Sequence, residues 1–179
     1  MKKLSILRYM TITATLSVMQ LSHANVEIRF NESAPKDIFT LKNLSKCDLR
    51  DVVLELDLSN SMGRLIFDTT AAGAGVEVFQ PFEVRQGNMT LTSASMVQDG
   101  DTALSVRIDQ ITAGETVSFT IDVDDTLPKS ELGNIRVSGA EIEGGVIRLS
   151  ALNEDQVATT FGNKATAIVN LQTTCPITH

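Results

Sequence analysis

Asp122, Asp124 and Asp125 place three carboxylates within four residues, at the end of the apolar run Val117 to Val123. Oxygen ligands at this density suit a hard divalent cation, and calcium takes about six to eight of them from carboxylates, carbonyls and water. The two-residue spacing puts Asp122 and Asp124 on one face of a strand, here expected to be the solvent face, and Asp125 follows where the strand gives way to a loop. Unscreened, the three acids repel one another. Asp57, Asp68, Asp99, Asp101, Glu141 and Glu143 are the candidates to complete a calcium site. The competing reading is a solvated acidic edge that discourages strand-to-strand aggregation. The segment is not an EF-hand, because the required glycine and distal glutamate do not match.

The remaining chemistry is sparse. The two histidines are His23 and His179, the one tyrosine is Tyr9, and tryptophan is absent. Without an internal imidazole or a free thiolate, the usual general base, zinc ligands and nucleophile are missing. Two carboxylates could in principle hydrolyse a glycoside, but the aromatic platform that commonly holds a sugar is missing. Ser33-Ala34-Pro35-Lys36 matches S-x-x-K only literally, since Pro35 disfavours the helix that motif needs and its companion motifs are absent. Ala71-Ala72-Gly73-Ala74-Gly75 lacks the Lys-Ser/Thr of a phosphate loop and reads as a bend or a close backbone approach. Asn31, Asn43 and Asn88 begin glycosylation-type triplets that read as coincidence in a bacterial-type exported chain. No enzyme is expected.

The chain opens as a secretory signal. Lys2, Lys3 and Arg8 precede a moderately apolar stretch, and Ser22-His23-Ala24 supplies small residues for cleavage after Ala24. Residues 1–24 are therefore expected to be a leader and residues 25–179 one domain, secreted or periplasmic, with no stable membrane span. Fifteen basic residues less the three in the leader leave twelve against 22 acidic ones, a balance of −10. Nucleic acid and anionic membranes are poor partners for such a surface. Cys47 and Cys175, an even count in an exported chain, are expected to pair, contributing about 2–4 kcal/mol; two buried free thiols are the alternative.

These residues must be positioned by strands. Short or alternating apolar runs recur between Gly, Asn, Asp and Ser, and no helical period is sustained after residue 24. Expected strands are Val26 to Phe30, Ile38 to Asn43, Val52 to Leu58, Leu65 to Phe67, Val76 to Phe79, Met89 to Ser93, Ala103 to Ile108, Thr116 to Val123, Ile135 to Val137, Val146 to Leu149, Thr159 to Phe161 and Ala165 to Leu171. The fold class is all-β, a two-sheet antiparallel β-sandwich of immunoglobulin-like or jelly-roll-like type. Gly162-Asn163 is expected to form a tight hairpin pairing the last two strands.

Ser33-Ala34-Pro35-Lys36-Asp37, Ile66-Phe67-Asp68, Gly73 to Phe82 and Val117 to Asp125 together resemble bacterial exported proteins described as aggregation factor core proteins, relatives of the core protein of marine sponge aggregation factors. The resemblance implies a β-rich extracellular module that supports calcium-dependent adhesion by self-association or by binding a cell-surface or matrix partner. The alternatives are a pilus-like or envelope structural subunit and, third, a hydrolase using the acidic cluster. Against the pilus reading, the tail Leu171 to His179 lacks an alternating apolar donor strand.

Overall fold

The computed structural model describes residues 22–33, 36–75, 80–92, 97–129, 132–134 and 136–173. In chain order the strands are β1 (Ser22–Asn31), β2 (Asp37–Asn43), β3 (Leu49–Asp57), β4 (Ile66–Asp68), β5 (Glu83–Gln86), β6 (Met89–Leu91), β7 (Ala103–Ile111), β8 (Thr116–Asp124), β9 (Val146–Ser150), β10 (Val157–Thr160) and β11 (Thr166–Thr173). They form two antiparallel sheets packed as a β-sandwich. One runs β11-β1-β2-β8-β4, with β5 also paired to β8; the other runs β10-β9-β3-β7-β6. Among the described residues no helix is long and apolar enough to cross a membrane.

Alternation builds the core. Val52, Leu54 and Leu56 of β3 and Leu104, Val106 and Ile108 of β7 face Val26 and Ile28 of β1 and Phe119, Ile121 and Val123 of β8, all buried. Phe39 stacks on Phe119 with centroids 5.2 Å apart, and Phe30 and Phe161 tilt against Phe39 at 5.1 and 6.5 Å. A one-residue slip of β8 would exchange these apolar side chains for serine, threonine and aspartate.

The structure changes several sequence expectations. The Gly162-Asn163 turn does not pair β10 with β11. β10 pairs with β9 and β11 with β1, so the turn carries the chain between sheets. Phe161, buried between the layers, anchors that crossing. Arg136 and Val137 are not in a strand; Arg136 N–H closes a turn onto the Gly133 carbonyl at 3.0 Å, and Val137 is buried by the turn. β5 carries no alternation because all four of its residues are exposed at a sheet edge. The expected strand Val76 to Phe79 lies outside the described residues. The expected cleavage point after Ala24 falls within β1, where Ser22, His23 and Ala24 pair with Thr173, Gln172 and Leu171.

β3 and β7 also change phase together. Leu49 and Val52 are both buried although three residues apart, as are Ile108 and Ile111. Asp51, at φ 47°, makes the change in β3, and its carboxylate pairs with Arg107. A β-branched side chain resists this left-handed backbone, whereas glycine accepts it. Asp51→Val should therefore lose about 1–2 kcal/mol more than Asp51→Gly in urea unfolding. Equal losses would contradict the backbone assignment, because the ion pair is removed in both.

Candidate functional site

The acidic end of β8 lies inside the protein. Asp122, Asp124 and Asp125 are 4%, 1% and 2% exposed, which overturns the expected solvent face and the solvated-edge reading. Alternation correctly separates Ile121 and Val123 from Asp122 and Asp124, yet both faces of β8 are covered. β8 is an interior strand, with β2 on one side and β4 and β5 on the other.

Asp68, the last residue of β4, stands directly opposite Asp122 and is 2% exposed. Opposed residues of an antiparallel pair share a face, so the two carboxylates are neighbours. Asp37 joins them from the start of β2 and is also buried. β2 stops pairing where Asp37 meets Ile121. Beyond that point the Asp37 side chain replaces the missing strand: Oδ2 accepts the Val123 N–H at 3.1 Å and Oδ1 accepts the Ser33 N–H at 3.2 Å. Sequence reasoning overlooked Asp37, although Asp37, Phe39 and Leu41 occupy alternate positions and the first is the misplaced polar residue of a core face.

Burial pushes the Asp37 carboxyl up to about 8; its two backbone hydrogen bonds oppose the shift, and the charges of Asp122 and Glu32 add to it. Burial likewise raises Asp122 to about 7, reinforced by Asp124 and Asp68 and opposed by the Val123 backbone and Lys36. Lys36 is a nearby cation, and its ammonium pairs with Glu83 at 2.6 Å. The literal S-x-x-K motif therefore belongs to the β1–β2 connection and its ion pair. Asp125 Oδ1 accepts the Leu127 N–H at 3.0 Å, while the buried Oδ2 has no hydrogen-bond partner among the described residues.

The loop 69–75 closes over Asp68. A Cβ at Gly75, where φ is +112°, would stand 2.5 Å from Asp68 Oδ2, and one at Gly73 would stand 2.8 Å from Asp99 Oδ2. The small-residue cluster is thus the close backbone approach its composition predicts. Asp99 ties the loop down by accepting the Thr70 hydroxyl and the N–H groups of Thr69 and Thr70, and these bonds lower its pKa, the Thr70 hydroxyl most. Residues 70–75 and Asp68 line a cavity of about 60 Å³, room for an ion or a water or two.

The other expected ligands have separate roles. Asp57 binds Ser59, Asp101 accepts the Gln98 N–H, and Glu141 accepts the Ser138 N–H at 2.6 Å. Glu143 is exposed. Among the described residues no three acids are already gathered into a metal cage. Chemically, the arrangement offers two carboxyls, Asp37 and Asp122, that burial drives toward the protonated form and whose protons a cation could displace. Cys47 is half-buried in the loop after β2, and Cys175 lies outside the described residues. Comparison with protein-family models, with curated proteins and with solved structures gives no match.

Proposed function

We propose that the chain is an exported β-sandwich module that acts by self-association or by binding a surface partner, with calcium as an internal organiser. The observation that carries the calcium reading is the set of buried aspartates, Asp37, Asp68, Asp122 and Asp124, gathered around the end of β8, where burial raises Asp37 and Asp122. A divalent ion would neutralise the Asp37 and Asp122 carboxyls, which burial otherwise pushes toward the protonated form. Because Asp122, Asp124 and Asp125 are buried, calcium on this reading stabilises one copy from within, and it does not bridge two copies. The adhesive role is supported by the resemblance to aggregation factor core proteins and by the export signal; no reaction is proposed.

If calcium binds the folded state, millimolar calcium should raise the melting temperature at pH 7.5 beyond a monovalent-salt control at matched ionic strength. Asp122→Asn should shrink that rise. A midpoint that does not move with calcium would defeat the reading.

The Cys47–Cys175 bridge belongs to the same proposal, supported by the finding that no described cysteine is a free thiol. Alkylation without reduction should label neither cysteine, and a peptide map should recover the two linked. Labelling of both would remove the bridge.

A further inference from the structure

β11 ends its sheet, with β1 as its strand partner. Its eight residues, Thr166–Thr173, contain no charge, glycine or proline. Natural edges of this kind are usually shortened, charged or kinked, because an open row of N–H and C=O groups templates further strand pairing. The other described edges are short: β4 and β6 have three residues each, β10 has four, and β5 has four that include Glu83 and Arg85.

The hydrogen-bond phase of β11 is fixed by its first contact. Phe30 N–H donates to the Ala165 carbonyl at 2.9 Å, so alternate residues Ala167, Val169 and Leu171 turn their backbone groups to β1. Thr166, Ile168, Asn170 and Gln172 turn theirs outward. The Thr166 carbonyl is taken by Gly162 N–H at 3.1 Å, and no described backbone group outside the strand pairs bonds Ile168, Asn170 or Gln172. On the inner face Ala167, Val169 and Leu171 are buried; on the outer face Ile168 is 48% exposed.

We propose that β11 is the edge by which two copies of this chain join, antiparallel about a two-fold axis through Asn170, so that their sheets become continuous. The inference rests on the self-association reading above and names the surface that performs it. The edge is self-complementary in this register: Ile168 meets Gln172 of the second copy, Asn170 meets Asn170, and the outward N–H and C=O groups exchange hydrogen bonds pairwise. The chain is acidic, with a formal charge of −7, so two copies repel at most surfaces. An uncharged edge brings no like charges into register. Glu27 and Arg29 of β1, which stand opposite Ile168 and Thr166, are paired with each other at 3.2 Å.

The test is sedimentation of the purified chain over a concentration series in chelator, together with Asn170→Lys, which sets two ammonium groups opposite each other across the axis, and Thr159→Lys on β10. The wild type and Thr159→Lys should dimerise, and Asn170→Lys should weaken association by about tenfold or more while matching the wild-type melting temperature at concentrations too low for dimers. Amide exchange on the wild type gives a reading that does not depend on a variant folding: the Ile168, Asn170 and Gln172 amides should become protected as concentration rises. Association that persists in Asn170→Lys with those three amides unprotected would overturn the β11 assignment and leave self-association standing. A wild type that stays monomeric, with calcium and with chelator, would overturn both.

Discussion

Calcium-free protein is expected to lose stability as the pH rises from about 5 to about 9, the reverse of ordinary acid denaturation. The sign follows from Asp37 and Asp122. Unfolded, both carboxyls titrate near 3.8; folded, burial holds them near 8 and 7. Between those limits the folded chain binds more protons than the unfolded one, so unfolding becomes easier with each step up in pH. The stabilising contribution is complete below about pH 3.8 and is lost as the pH passes through 7 and 8. Each carboxyl can contribute up to about 1.4 kcal/mol per pH unit in that window, and their mutual repulsion makes them titrate as a pair. Asp122→Asn removes one ionisation while keeping the shape. It should be more stable than wild type at about pH 9 and no more stable at about pH 5. Urea unfolding at several pH values measures this, and a wild-type stability that rises steadily across the range would contradict it.

The second large effect is expected at Asn43, which is fully buried at the end of β2. Its Nδ2 donates to the carbonyls of Cys47 at 2.7 Å and Ile111 at 3.0 Å. Its Oδ1 accepts the Ser45 N–H at 3.0 Å and the Ser45 hydroxyl at 2.6 Å. One amide therefore joins the end of β2, the turn holding Cys47, and the end of β7 in the opposite sheet. Asn43→Ala leaves these groups unsatisfied and should destabilise by about 2–4 kcal/mol. Asn43→Asp should be at least as damaging, because a carboxylate oxygen would face two carbonyls with no proton to donate. Chemical denaturation of both variants tests this, and a loss below about 1 kcal/mol in each would contradict the role. The burial also explains why the Asn43-Leu44-Ser45 triplet reads as coincidence: its amide is consumed by the fold.

Strand alternation carried much of the architecture. Val52, Leu54 and Leu56, and Val117, Phe119, Ile121 and Val123, declare a buried face because any slip would place charge in the core. The same pattern could not say what covers the opposite face. It made Asp122 and Asp124 a solvent edge, whereas β4 and the loop after it place Asp68 against them. Alternation also could not distinguish a hairpin from a crossing between sheets at Gly162-Asn163, because that choice depends on where Phe161 is buried. β5 was illegible, since an edge strand exposed on both faces has no hydrophobic period to read. Asp37 was legible as a polar intruder in an apolar alternation, and its meaning appears only once Val123 N–H is seen to need an acceptor.

On the proposed reading, buried carboxyls at the end of β8 hold protons near neutral pH and exchange them for a cation. Carbon-13 NMR of the aspartate carboxyls, titrated with and without calcium and assigned with Asp37→Asn and Asp122→Asn, addresses it most directly. Two coupled steps near 7 and 8 are predicted in chelator, moving to lower pH when calcium is added. Ordinary carboxylate midpoints near 3.8, unmoved by calcium, would contradict it.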